Sequence, residues 1–116
     1  MESRQSKRVA LTATMVKEQL SFARIPVISA AGKIVKFAPN AEQKRYVVFD
    51  THRDAPVGFG VAVNRTNMSY ILQRRVGDRV MKATIGDCRD IPLGKAREDA
   101  KAALEAMRTT GRTPAE

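Results

Sequence analysis

Residues 58–86 read GFGVAVNRTNMSYILQRRVGDRVMKATIG: three short alternating runs joined by two polar turns. Five bases (Arg65, Arg74, Arg75, Arg79 and Lys82) stand in this stretch against one acid, Asp78. Gly77-Asp78 has the chemistry of a two-residue hairpin turn of the primed type, whose twist matches that of the strands it joins. Such a turn sets a register. Val76 falls opposite Arg79, Arg74 opposite Met81, Leu72 opposite Ala83 and Tyr70 opposite Ile85, all on one face. The other face carries Ile71 with Thr84, Gln73 with Lys82 and Arg75 with Val80. The turn therefore sorts apolar from polar side chains, and a slip of one residue would undo the sorting.

The run before it extends the same sheet. Val57, Phe59, Val61 and Val63 alternate with Gly58, Gly60 and Ala62, the pattern of a half-buried strand with very small residues on its second face. A four-residue loop, 64–67, puts Val61 opposite Tyr70 and Phe59 opposite Leu72, which keeps the apolar residues together. Phe59, Tyr70, Leu72, Met81 and Ile85 are expected to face a helix. Gln73, Arg75, Lys82 and Thr84 are expected to face away from it.

The helix is legible at residues 92–108, where Leu93, Ala96, Ala100, Leu104 and Met107 recur at helical spacing. Pro92 suits the first turn, Gly111 a stop, and Pro114 prevents a restart. Upstream, residues 44–50 (KRYVVFD) form a strand dense in Tyr, Val and Phe. Residues 11–20 read as a short helix with Thr12 as N-cap and Met15, Val16 and Leu20 on one face. Residues 25–38 fit a hairpin or a mobile loop carrying scattered apolar residues equally well. Residues 1–8 read as a loose basic arm. The fold class expected is α+β: a small antiparallel sheet of three to four strands packed on one C-terminal helix, with a short N-terminal helix. The domain organisation expected is an arm, helix and variable segment at 1–43, a sheet-plus-helix domain at 44–110 and the start of a linker at 111–116.

Composition narrows the function. The 116 residues suit one domain, and their net charge of +9 commonly marks a nucleic-acid partner or an anionic membrane surface. No run approaches the length of a membrane span, and residues 1–8 lack the apolar core of a secretory signal. The lone Cys88 has no internal disulfide partner, which points to the reducing cytoplasm. His52 has no second His or Cys partner and reads as a surface residue. No metal spacing, cofactor motif, paired carboxylate or Ser/His/Asp pattern is legible. Gly58 and Gly60 alternate within a strand, and no Walker Lys-Ser/Thr follows them.

Taken in order, Val48-Phe49-Asp50, Gly58-Phe59-Gly60, residues 69–75 (SYILQRR), Ala83-Thr84-Ile85-Gly86 and residues 91–98 (IPLGKARE) resemble the N-terminal arm-type DNA-binding domain of phage and genomic-island tyrosine recombinases. There the blocks run W-D, G-F-G-L-R-V, S-(F/Y)-V-L-(Q/R)-(Y/F)-R, L-T-L-G and L-S-L-A-E-A-R. The resemblance covers about residues 9–113. It implies a sheet that enters the major groove of arm sites, with cutting and joining done by separate domains of a larger integrase. This chain would then be non-catalytic, and Tyr46 and Tyr70 would pack in the sheet instead of acting as nucleophiles. The chain departs from the family at Arg74, where an aromatic is usual, at Pro92, which replaces a capping Ser, and in the length of residues 21–43.

The implied partners are double-stranded DNA and other recombinase subunits, with no membrane and a monomeric isolated domain. Gln73 and Arg75 suit base or groove-edge contacts, and Lys82, Arg65 and Arg79 suit phosphates. Thr84 completes the candidate face. An RNA-binding module and a protein-interaction module are the competing readings. RNA-binding sheets present exposed aromatics for stacking, and the outward positions of the hairpin carry none.

Overall fold

The computed structural model describes residues 7–110. Expectations for the arm before Lys7, for Gly111 and Pro114, and for the linker at 111–116 lie outside the described residues. Seven strands and one long helix follow one another: β1 (Lys7–Val9), β2 (Arg24–Ile28), β3 (Ile34–Pro39), β4 (Tyr46–Asp50), β5 (Phe59–Val63), β6 (Met68–Val76), β7 (Arg79–Asp87) and α1 (Leu93–Thr110). A short π-helical turn, Met15–Gln19, lies between β1 and β2. The main sheet has the order β1-β4-β5-β6-β7, while β2 and β3 form a separate two-stranded sheet. The class is α+β, as expected, but the strand count and the sheet type differ. The main sheet has five strands and is mixed, because β1 runs parallel to β4. A three-residue strand whose parallel partner lies far along the chain has no turn to announce it, so residues 7–9 carry no local sign of pairing.

The central meander follows its turn chemistry. Val61 lies opposite Tyr70 and Phe59 opposite Leu72, and the loop between them is closed by Asn64 N–H donating to Asn67 O at 2.8 Å. Across the next hairpin, Val76 faces Arg79, Arg74 faces Met81 and Leu72 faces Ala83. Gly77 takes φ 67° at the first turn position, where an L side chain would be strained.

Two details of the expected register are corrected. The register shifts between Tyr70 and Ile71, so Tyr70 faces Gly86 and not Ile85. At this point Ile91 returns over the end of the sheet. A Cβ on Gly86 would stand 2.2 Å from Ile91 Cδ1, and the Tyr70 hydroxyl donates to Ile91 O at 2.9 Å. Ile85 becomes the extra residue of the bulge and is half-buried against the core. Val57 is not in the strand. It is 67% exposed, and a turn closed by Phe59 N–H on Pro56 O starts β5 at Phe59.

One face of the sheet carries the core. Val48, Phe59, Val61, Tyr70, Leu72, Met81 and Ala83 are buried in one cluster with Leu93, Ala96, Ala100, Leu104 and Met107 of α1. The Phe59 and Tyr70 rings stack at 5.8 Å. Each large side chain so buried stabilises by about 1.5–3 kcal/mol. The many alanines on α1 let the helix approach closely. Gly60 shows the same tightness within the sheet, since a Cβ there would lie 2.4 Å from Val48 O. Pro92 stands just before the helix, its carbonyl accepting from Ala96 N–H at 3.0 Å.

The core does not stop at residue 44. Val9, Leu11, Val16 and Leu20 are buried in the same cluster. Thr12 caps as expected, its Oγ1 accepting from Met15 N–H at 3.2 Å. The turn then widens, with Leu20 N–H reaching Met15 O at 2.9 Å, a π-type bond in place of the regular short helix. Residues 25–38 resolve as a hairpin, closed by Ser29 N–H on Lys33 O at 2.8 Å. Its base is held to β4. Asn40, 6% exposed, donates to Phe22 O and Lys44 O, and the Tyr46 hydroxyl contacts Ser21 O and Arg24 O at 2.8 and 2.9 Å.

Asp50 joins three elements. Its Oδ1 accepts from Leu11 N–H and His52 N–H, its Oδ2 accepts from Arg97 Nε at 2.8 Å, and Arg97 Nη2 donates to Leu11 O. The carboxylate side chain is 0% exposed and the arginine 13%. Breaking such a pair leaves an uncompensated buried charge, so Asp50→Ala should cost about 3–5 kcal/mol, read as a lowered urea midpoint. Stability should also fall in alkali. Burial pushes the Cys88 thiol up to about 12, with the Asp87 charge adding to it, and burial raises the Tyr46 phenol to about 12. The folded chain holds these protons more tightly than the unfolded one. Their contribution is complete below about pH 9 and is lost as the pH climbs towards 12, which urea titrations at a series of alkaline pH values will show.

Candidate nucleic-acid interface

Strand alternation decides what the face away from α1 presents. The registers place Arg8, Phe49, Gly60, Ile71 and Thr84 in one row across all five strands. Gln73 lies beside Lys82, and Arg75 beside Val80. Arg75, Lys82 and Thr84 are exposed, Val80 is 52% exposed, and Ile71 and Gln73 are half-buried. Among the described residues, the side chains of Gln73, Arg75, Lys82 and Thr84 have no hydrogen-bond or ion-pair partner. The donors on this face are therefore available to a ligand. An Arg offers five N–H groups in a rigid fork, and a Gln amide both donates and accepts.

The candidate residues do not all come together. Gln73, Arg75, Lys82 and Thr84 form one patch on adjoining strands. Arg79 is exposed at the tip of the β6–β7 hairpin, and its pairing with Val76 gives it the parity of the core face. Arg65 lies at the other end of β5 and β6. Its Nη1 donates to Gln43 Oε1 at 3.2 Å, and its guanidinium sits 5.2 Å from the Phe22 ring centroid. The nine residues of β6 separate that end from Arg75 by roughly 25 Å. Arg74 has the core parity read from the turn and is half-buried. Its head donates to Val57 O at 3.1 Å, so its stem covers the sheet end while its charge is used within the fold.

Sequence reasoning missed Arg8. In β1 it lies beside Phe49, its guanidinium 5.6 Å from the ring centroid, and it adds a cation to the outer face. Phe49 is itself an aromatic on that face, half-buried beneath Arg8. Only the parallel pairing of β1 brings the two together. Asp87 pairs with Ser69 at the far end of the face. Arg89 bonds it through both side chain and backbone, which holds its carboxyl below the usual carboxylate range.

Among the described residues, no three of His, Cys, Asp and Glu gather as a metal site, and no helix is long and apolar enough to cross a membrane. The chain matches no protein-family model, no curated protein and no solved structure.

Residues that face solvent without partners have little structural work. Arg75→Ala and Lys82→Ala should leave the urea midpoint equivalent to within about 0.5 kcal/mol of the parent. Arg65→Ala should lower it measurably, because it removes a ring contact and a side-chain hydrogen bond.

Proposed function

We propose that this chain is the DNA-binding module of a site-specific tyrosine recombinase, an integrase, and that it holds arm-type sites of duplex DNA against the outer face of its main sheet. The observation that carries the reading is the division of the sheet. One face is closed by α1, and the other presents Arg8, Gln73, Arg75, Lys82 and Thr84, the last four without partners among the described residues. The resemblance of five ordered sequence blocks to the arm-binding domains of that family supports it. Cutting and joining belong to other domains of the full enzyme, and the partners are duplex DNA and neighbouring recombinase subunits during DNA integration and recombination.

The physical case rests on charge and size. Lysine and arginine neutralise phosphates and release condensed counterions, which drives association without regard to sequence. A two-stranded ribbon such as β6–β7 fits the major groove, about 12 Å wide, where Arg and Gln side chains reach base edges. Phe49 is the one feature of this face that suits RNA, whose binding sheets stack bases on open aromatics. Here that ring is half-buried beneath the Arg8 guanidinium, which favours the duplex reading.

Titration of the chain against element-end duplex, random duplex and single-stranded RNA at several salt concentrations tests the proposal. If Arg8, Arg79 and Lys82 each neutralise one phosphate, the log–log salt slope is about −2.7, a loss of roughly 40-fold in affinity between 50 and 200 mM salt. The double variant Arg75→Glu/Lys82→Glu should remove duplex binding while circular dichroism stays unchanged. Unchanged duplex affinity in that variant would sink the sheet-face reading. Tighter binding to RNA than to duplex would favour an RNA module, and an affinity indifferent to salt a protein-interaction module.

A further inference from the structure

We propose that the cleft between β1 and the β2–β3 hairpin seats the sugar-phosphate backbone of the bound duplex, outside the groove that the main sheet enters. The inference rests on the sheet-face reading and adds a second contact to it. The hairpin lies in residues 21–43, whose length departs from the recombinase pattern. The width of the sheet points to such a contact. The outer row Arg8, Phe49, Gly60, Ile71 and Thr84 crosses the main sheet over about 19 Å, at about 4.8 Å per strand spacing. The major groove is about 12 Å wide. With β6 and β7 lying along the groove, the sheet is wider than the groove and β1 falls beyond its wall. β5 leaves room for that wall, because it turns only Gly60 and Ala62 to the outer side.

The cleft, about 630 Å³, is lined by Lys7, Arg8 and Thr51 and by residues 25–32 of the hairpin. Its chemistry suits an anion. Lys7 and Arg8 bring two positive charges, and the sequence holds no Asp or Glu from residue 19 to residue 41. At the hairpin tip, Ser29 N–H donates to Lys33 O at 2.8 Å and Gly32 N–H to Ser29 O at 2.9 Å. Between them, the N–H groups of Ala30 and Ala31 have no hydrogen-bond partner among the described residues. Both alanines are exposed. Backbone N–H groups and hydroxyls commonly donate to phosphates in DNA complexes. The Ser-Ala-Ala-Gly tip has no bulky side chain to hold a phosphate away. Contacts of this kind fix the orientation of a protein on the duplex and carry no sequence information.

Salt titrations on element-end and random duplex, with hydroxyl-radical footprints on the element-end duplex, test the cleft. The chains compared are the parent, Lys7→Ala, Ala30→Asp/Ala31→Asp and Arg75→Glu/Lys82→Glu. Lys7 adds a phosphate to the three counted for the main sheet. The parent's log–log slope therefore steepens from about −2.7 to about −3.6, and Lys7→Ala returns it to about −2.7 on every sequence. The tip variant places two carboxylates at exposed turn positions, so its circular dichroism should match the parent's. Its affinity should fall for all duplexes alike, and its footprint should lose the protected sugars at one end and keep the rest. The inference is overturned, with the sheet-face reading left standing, if Lys7→Ala and the tip variant keep the parent's slope, affinity and footprint while Arg75→Glu/Lys82→Glu still removes binding. Failure of the parent to bind any duplex overturns both.

Discussion

The buried pair of Asp50 and Arg97 is the contact on which the arrangement depends. Asp50 ends β4, Arg97 lies in the second turn of α1, and Leu11 gives both its N–H and its carbonyl to them. A carboxylate with no solvent exposure is costly unless it is paired and hydrogen-bonded. Here two backbone N–H groups bond Oδ1 and a guanidinium bonds Oδ2. The pair is thus a positional constraint more than a source of net stability. It sets where α1 crosses the sheet and ties the N-terminal segment to both. With α1 held there, one face is closed by alanines and leucines, and the other remains open.

That asymmetry sorts the charges of the molecule. Arg97, Arg74, Arg65 and Arg89 use their guanidiniums within the fold, on Asp50, Val57 O, Gln43 and Asp87. Gln73, Arg75, Lys82 and Thr84 do not, and they share one open patch. A strongly basic composition alone says little about where a ligand binds. The distinction between cations used in folding and cations left over says more, and on the outer face of the main sheet it leaves Arg75 and Lys82 free, with Arg8 stacked on Phe49 at the far flank.

The parts of this arrangement that were legible in the sequence are those set by neighbours in the chain. A Gly-Asp turn dictates which residues of β6 and β7 stand opposite one another, so the polar patch could be read from two residues and a period of two. The helix showed itself through the spacing of Leu93, Ala96, Ala100, Leu104 and Met107. Distant partners left no such trace. Beside the bulge at Ile85, Ile91 packs over Gly86 and its carbonyl accepts from the Tyr70 hydroxyl, a contact made after the strand has ended. The hairpin β2–β3 was equally readable as a loop until Asn40 and Tyr46 anchored its base.

Sequence alone therefore determined the local pairings, the helix and the identity of the polar face, because turn geometry and side-chain alternation act over a few residues. Tertiary structure alone decided which cations remain free. Arg65 and Arg75 look alike along the chain, yet one is held by Phe22 and Gln43 and the other meets solvent. It also decided that residues 7–9 complete the sheet and bring Arg8 onto Phe49. A parallel pairing between remote segments is chosen by packing of the whole core, and no short pattern encodes it.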